Sequence, residues 1–232
     1  MSQLIKYLLL PGLILLFASC NQKGKVTIVS EQASPREKYA IEKLSAALTS
    51  RGYVVTVSAK PSAGNETQIV VGTLRSALLA GINRKIEAPD TLKKEGFILQ
   101  SEGKTIYVGG SDASGTLYGC MELADRLKED GKLPEEIKIT DQPQMVMRGT
   151  CIGLQKTVYL PGRTVYEYPY TPENFPWFYD KALWIKYLDM MVENRYNSLY
   201  LWNGHPFASL VKLKDYPYAV EVDDDTFKKN EE

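Results

Sequence analysis

The chain has 232 residues, of which 44% are hydrophobic, so it can bury the core of one or two domains. Lysine plus arginine and aspartate plus glutamate each number 28, and this balance lacks the basic excess that favours a nucleic-acid partner. The three cysteines form no C-x-x-C spacing and no metal-ligand or cofactor motif is present, so neither a metal nor a cofactor is predicted.

Residues 1–20, MSQLIKYLLLPGLILLFASC, have the features of a signal peptide. Lys6 supplies a short basic region, and the apolar run at 8–17 is too short to cross a bilayer as a helix, which takes about 20 residues. The final Phe-Ala-Ser-Cys resembles a bacterial lipobox, in which the cysteine is acylated. A lipid anchor on Cys20 predicts a secreted lipoprotein, held at the bacterial outer membrane or in the periplasm. An ordinary signal peptide with a coincidental cysteine is the alternative.

Residues 25–142 alternate strand and helix patterns with clear boundaries. Four β-branched runs and one hairpin, turning at Glu102-Gly103, are predicted as strands: 25–30, 53–57, 68–72, 97–110 and 136–140. Two helices lie among them. The pattern predicts a two-layer α/β sandwich with a mixed sheet.

The two helices carry recognisable caps. The first opens with a capping box formed by Ser34 and Glu37 and ends at Gly52, and the second runs over 111–130 and stops at Gly131. The residues predicted to face the core are Ile41, Leu44 and Leu48 in the first helix and Leu117, Met121, Ala124 and Leu127 in the second.

The segment VGGSDASGTLYG, residues 108–119, could be taken for a phosphate-binding loop. It lacks the Lys-Ser/Thr pair of a P-loop and the G-x-G-x-x-G spacing. We therefore interpret Gly115 and Gly119 as positions that let the second helix lie close to the sheet. Cys120 and Cys151 are interpreted as small buried hydrophobes.

The run GFILQSEGKTIYVGGSDASGTLYGCMELADRL resembles the N-terminal α/β accessory domain of several glycoside hydrolases, notably family 20 β-hexosaminidases and family 67 α-glucuronidases. In those enzymes this domain is not itself catalytic and precedes a (β/α)8 barrel. The resemblance covers roughly residues 25–153. It implies an accessory domain over 25–142, followed by the opening of a barrel from residue 145.

Residues 145–232 predict one strand-helix-strand unit after a polar junction. Its predicted parts are a strand at 145–153, an aromatic-rich loop at 157–179, a helix at about 178–194 and a strand at 198–204. The predicted buried stripe of this helix is Leu183, Tyr187, Leu188 and Met191. Because a barrel takes about 250 residues, this region predicts an incomplete (β/α)8 TIM barrel. The resemblance places the catalytic carboxylates beyond Glu232, so the chain is interpreted as a fragment that is inactive alone.

The sequence Met147-Arg148-Gly149 resembles the Arg-Gly that opens the family 20 barrel. The resemblance implies that Arg148 hydrogen-bonds substrate hydroxyls from the end of the first barrel strand; an arginine paired with a carboxylate for structure is the alternative. Family 20 usually has Asp five positions later, where this chain has Gly153. Uronic-acid and other sugar substrates therefore remain open.

His205 is the only histidine and directly follows the last predicted strand, whose carboxyl end carries Trp202 and Asn203. The carboxyl ends of barrel strands open into the active site, so all three side chains are predicted to contact a sugar. A structural hydrogen bond or proton transfer by His205 are the alternatives. The predicted function is the N-terminal fragment of a surface-anchored glycoside hydrolase acting on complex polysaccharide or glycan. A non-catalytic carbohydrate-binding or scaffolding lipoprotein module is the second hypothesis.

Overall fold

The computed structural model describes residues 23–80, 89, 91–153, 172 and 175–202, and the chain divides into two compact units, Met1–Gln144 and Met145–Glu232. The strands and helices described in the first unit are β1 (Gly24–Val29), α1 (Pro35–Ser50), β2 (Tyr53–Ser58), β3 (Thr67–Thr73), α2 (Ala77–Ala80), β4 (Phe97–Glu102), β5 (Thr105–Gly110), α3 (Ala113–Asp130) and β6 (Lys138–Asp141). Those described in the second unit are β7 (Gly149–Gly153), α4 (Lys181–Glu193) and β8 (Ser198–Trp202).

The first unit is built on a six-stranded mixed sheet with the order β2-β1-β3-β5-β4-β6. Strands β2, β1, β3 and β5 run parallel to one another, whereas β4 runs antiparallel to both β5 and β6. This confirms the predicted α/β class and its mixed sheet. The β4-β5 hairpin turns one residue later than predicted, since Glu102 pairs with Thr105 and Gly103 takes the positive φ of 56° that the tight turn requires.

Helices α1 and α3 pack against each other and against the sheet. The predicted capping box is present, because the Ser34 hydroxyl accepts from the Glu37 N–H and the Glu37 carboxylate accepts from the Ser34 N–H, both at 3.2 Å. Gly52 and Gly131 have φ values of 87° and 71°, which allow the chain to leave each helix. All the predicted core residues of the two helices are buried: Ile41, Leu44, Leu48, Leu117, Met121, Ala124 and Leu127.

The opposite face of the sheet has its own apolar cluster. Val29, Val70 and Tyr107 lie in register across β1, β3 and β5, on the face that alternates with Ile28, Ile69 and Ile106. Leu79 of the short helix α2 packs on this cluster and is fully buried. A helix of four residues has too little sequence to show a period, and it was not predicted.

Close backbone packing explains the glycines before and within α3. A Cβ atom on Gly115 would lie 2.1 Å from the carbonyl oxygen of Gly96, and one on Gly110 would lie 2.0 Å from the nitrogen of Thr116. On Gly119 it would lie 2.8 Å from a methyl group of Val108. The interpretation of Gly115 and Gly119 as packing positions is confirmed.

The described part of the second unit pairs two parallel strands with one helix. Strands β7 and β8 run in register from Gly149 opposite Ser198 to Gly153 opposite Trp202. Asp180 caps α4 by accepting from the N–H groups of Ala182 and Leu183 at 2.9 and 3.1 Å. This parallel strand-helix-strand unit is the kind of unit with which a (β/α)8 barrel is built.

Helix α4 buries less of its predicted stripe than expected. Met191 is buried and the Tyr187 hydroxyl lies 2.6 Å from that of Thr150 in β7, but Leu183 and Leu188 are 42% and 48% exposed. Those two predictions are wrong because a two-stranded sheet is narrow and covers only one strip of the helix. Strand β7 also begins later than predicted, at Gly149; the preceding Met145, Val146 and Met147 are exposed.

The two described cysteines differ in environment. Cys120 is buried in α3, as predicted, and burial raises the pKa of its thiol. Cys151 is exposed, so the prediction that it is buried is wrong. It alternates in β7 with Thr150, which faces α4, and therefore lies on the uncovered side of the strand.

Candidate functional site

The two parallel strands of the second unit end at one common edge. Gly153 and Trp202 are register partners and are the last residues of β7 and β8. Trp202 therefore lies at the carboxyl edge, where the sequence placed it, and its backbone is described. Asn203 and His205 come directly after this edge in the sequence but lie outside the described residues, as does Cys20.

Arg148 lies at the other edge, before β7 begins, and not at the end of the strand as expected. Five residue steps of about 3.3 Å separate it from Gly153, so the backbones of the two edges are roughly 16 Å apart. The half-buried guanidinium donates from Nε to the carbonyl of Arg195 at 3.0 Å and from Nη1 to the carbonyl of Met145 at 2.8 Å. The structure thus does not bring Arg148 together with Trp202.

Asn197 completes this amino-terminal edge and was missed in the sequence. Its Oδ1 accepts from the Arg148 N–H at 2.9 Å, and its Nδ2 donates to the carbonyl of Val146 at 2.8 Å. Its own N–H donates to the carbonyl of Arg148 at 2.8 Å. An asparagine between a helix end and a strand was the available signal, because its amide can pair with main-chain donors and acceptors at once.

The side of the strand pair away from α4 carries a second unpredicted feature. Tyr200 is 61% exposed and lies opposite the exposed Cys151, two register steps inside the Gly153 and Trp202 edge. In β7 the residues two positions before and after Cys151 are Gly149 and Gly153, so small residues lie beside the Tyr200 ring on that strand. An exposed tyrosine offers an apolar ring face and a hydroxyl, a combination that suits a sugar.

Within the described part of the chain, no group of three or more His, Cys, Asp or Glu side chains is placed to hold a metal ion. The same residues include no helix that is both long and apolar enough to span a bilayer. The chemistry that the described second unit offers is therefore hydrogen bonding and aromatic stacking. Neither a pair of opposed carboxylates nor a nucleophile with its base is found at the described carboxyl edge.

The described residues form a mixed α/β unit followed in sequence by a parallel strand-helix-strand unit. Residues 18–142, more than half of the chain, match the family described as glycosyl hydrolase family 20, domain 2. The chain belongs to that family. The predicted relationship to a glycoside hydrolase accessory domain is confirmed.

Solved structures of glycoside hydrolases are similar to the chain. A GH138 enzyme targeting pectin rhamnogalacturonan II is 51% identical with a TM-score of 0.70, over 90% of this chain and 22% of that chain. BtGH115A, a GH115 4-O-methyl-α-glucuronidase with specificity for decorated arabinogalactans, is 19% identical with a TM-score of 0.54, over 90% and 28%. CpGH84B is 20% identical with a TM-score of 0.51, over 79% and 27%.

The last two similarities show the fold alone, because identity is low. The chain spans about a quarter of the length of each of these relatives.

Proposed function

We propose that the chain forms the accessory domain and the start of the catalytic barrel of a glycoside hydrolase that acts on a pectic polysaccharide of the rhamnogalacturonan II kind. The observation that carries this proposal is the 51% identity to the GH138 enzyme across 90% of the chain. This identity favours pectic substrates over the β-hexosaminidase or α-glucuronidase activity that the sequence suggested. Gly153, at the position where family 20 usually has Asp, argues against β-hexosaminidase activity.

The two units have different roles in this proposal. The first is a rigid support, since its helices are close-packed on the sheet through glycines that admit no side chain. The second contributes the carboxyl edge of β7 and β8, where active sites of (β/α)8 barrels lie. Trp202, Asn203 and His205 then contact the sugar from this edge.

The cleavage chemistry requires groups that the described residues do not supply. Glycosidic bonds are generally cleaved by two carboxyl groups on either side of the bond, one of which protonates the leaving oxygen. We place these groups in later barrel strands of a longer protein, and the chain by itself is then inactive. Arg148 has a structural role in this scheme, because its guanidinium donates to two main-chain carbonyls at the opposite edge.

The test compares the chain with the longest open reading frame that contains it, on rhamnogalacturonan II oligosaccharides. Release of monosaccharide, measured by anion-exchange chromatography, is expected for the longer protein and not for residues 21–232. Turnover by residues 21–232 would refute the placement of the carboxylates. A longer protein that cleaves aryl N-acetylhexosaminides and leaves pectic oligosaccharides intact would refute the substrate class.

Two variants of the longer protein distinguish the roles of the carboxyl and amino-terminal edges of the strand pair. His205→Ala is expected to raise KM with an unchanged melting temperature, because in this proposal its side chain contacts the sugar. Arg148→Ala is expected to lower the melting temperature, because two main-chain carbonyls lose a charged donor. The reverse pattern would contradict the assignment of the carboxyl edge as the sugar site.

The protein is further proposed to be anchored at the cell surface through Cys20. The signal-like segment and its Phe-Ala-Ser-Cys ending support this proposal. Mass spectrometry of the mature N-terminal peptide is expected to show an acylated cysteine, and Cys20→Ser is expected to move the protein from the membrane fraction to the soluble fraction. An unmodified Cys20 thiol in the mature protein would end the lipoprotein proposal.

A further inference from the structure

A small cleft opens in the first unit, far in sequence from the edge that carries Trp202. It has a volume of about 130 Å³ and lies where β1 and β3 end. From β1 the chain passes through α1 to β2 on one side of the sheet order, and from β3 it passes through α2 toward β4 on the other side. The residues that line the cleft are Ser30, Glu31, Ala33, Ser34, Glu37, Val71, Gly72, Thr73, Ser76, Leu78 and Ala113.

This position is a topological switch point. The connections after the neighbouring parallel strands β1 and β3 leave in opposite directions, and α2 packs on the apolar cluster of Val29 and Val70, away from α1. Diverging connections leave a crevice outside the carboxyl ends of the strands, and open α/β sheets bind their ligands in such crevices. The fold therefore creates the cleft, independently of any single side chain.

Hydroxyl groups line the cleft from two connections, the one between β1 and α1 and the one between β3 and α2. Ser30 accepts from the N–H of Gln32 at 3.1 Å, Ser34 from that of Glu37 at 3.2 Å and Ser76 from that of Leu79 at 3.3 Å. Each serine oxygen therefore accepts a hydrogen bond from a main-chain N–H, and the rotatable O–H of the serine is the group that it can direct to a ligand. The cleft thus offers several hydrogen-bond donors to ligand oxygens.

The charge of the cleft restricts the class of ligand. The Glu37 side chain is buried, with 4% exposure, and lines the cleft beside Glu31, while none of the described lining residues is a lysine or arginine. Two carboxylates disfavour an anion. A divalent cation lacks a third charged ligand there, since the described residues contain no group of three candidate metal ligands. A neutral polyol carries no negative charge and needs no third charged ligand. Each of its hydroxyls can donate to a carboxylate and accept from a serine.

The volume sets the size of what can enter. A water molecule occupies about 30 Å³ of liquid, so a cleft of about 130 Å³ has room for about four waters. That space suits two or three hydroxyls at one edge of a pyranose, with the half-buried Leu78 against its C–H groups, and not an oligosaccharide. We propose that the cleft at the ends of β1 and β3 binds the hydroxyl-bearing edge of one neutral sugar residue.

The test is an NMR titration of the ¹⁵N-labelled chain. Methyl α-rhamnoside and methyl β-galactoside serve as neutral probes and galacturonate as the anionic probe, each added to about 100 mM because a few hydrogen bonds support only weak binding. Saturating shifts of the Ser34, Gly72 and Ser76 amides are expected with a neutral probe, and binding of galacturonate is expected to be about tenfold weaker or undetectable. Absence of saturating shifts with both neutral probes would overturn the proposal, as would equal binding of galacturonate.

Two alanine-to-leucine variants test whether the sugar binds in the cleft. Ala33→Leu places a larger side chain at the cleft from an exposed loop position and is expected to weaken binding by about tenfold or more. Ala59→Leu makes the same change at an exposed position that does not line the cleft, and it is expected to bind as the parent does. Equal weakening in both variants, or in neither, would refute the cleft as the site. Both variants leave the catalytic edge untouched, so their outcome does not depend on the proposed hydrolase activity.

Discussion

Gly115→Ala reverses the usual effect of replacing a helical glycine. In an ordinary helix this substitution stabilises by about 0.5–1 kcal/mol, because alanine loses less backbone freedom on folding. Here the new Cβ would lie 2.1 Å from the carbonyl oxygen of Gly96 and 3.2 Å from the Cα of Gly110. Both neighbours are main-chain atoms, so α3 itself or the segment at Gly96 must move by about 1 Å to restore an ordinary contact.

The magnitude follows from three contributions. Overpacking of a close-packed contact costs about 1–3 kcal/mol. The same oxygen of Gly96 accepts from the N–H of Ser111 at 2.8 Å, and disturbing this hydrogen bond adds about 1 kcal/mol. After the helix-propensity gain is subtracted, Gly115→Ala is expected to lower the free energy of unfolding by about 1–3 kcal/mol, a fall in Tm of roughly 2–8 °C for each kcal/mol.

The assay is denaturant unfolding followed by far-UV circular dichroism. The three tryptophans, at positions 177, 184 and 202, all lie in the second unit, so their fluorescence reports that unit separately. Gly119→Ala is the matched control in the same helix, because its Cβ would meet a methyl group of Val108 at 2.8 Å, and a side chain can rotate away. A Gly115→Ala protein that is as stable as the parent, or more stable, would refute the close contact.

Three further predictions rest on single contacts. Ser34→Ala is expected to cost about 1 kcal/mol of stability by urea unfolding, whereas Glu37→Gln is expected to cost less because glutamine keeps the capping box; equal losses would contradict a reciprocal cap. In the folded chain iodoacetamide is expected to label Cys151 and spare Cys120, and rapid labelling of native Cys120 on peptide mapping would argue against its burial. Because burial raises the pKa of the Cys120 thiol, the stability that this residue contributes is present below its unfolded pKa of about 8.5 and falls as the pH rises above that value. The Cys120→Ala variant is expected to lack this fall in stability. Arg148→Lys is expected to recover only part of the stability lost in Arg148→Ala, because a lysine lacks the fork that reaches both carbonyls, and full recovery in thermal melts would show that charge alone suffices.

Some parts of the candidate site could be predicted, and others could not. The carboxyl-edge position of Trp202 follows from the apolar run that ends there, because strand periodicity is a local property. The placement of Arg148 failed because a strand boundary depends on pairing, and its partners Arg195 and Asn197 lie 47 and 49 residues further along the chain. Tyr200 and Cys151 went unrecognised as an exposed pair because apolar strands read alike on their two faces until the helix shows which face it covers.

The local elements of this protein follow from short stretches of its sequence: the capping box of α1, the helix ends at Gly52 and Gly131, the buried stripes of α1 and α3, and the β4-β5 hairpin. Each depends on residues within a few positions of one another, so the relevant interactions are written in short stretches of chain. Long-range packing sets the order of the six described strands, the cleft between the ends of β1 and β3, and the exposure of Cys151 and Leu183. These features depend on which distant segments pack together, and burial and pairing across such distances have no signature in the local sequence pattern.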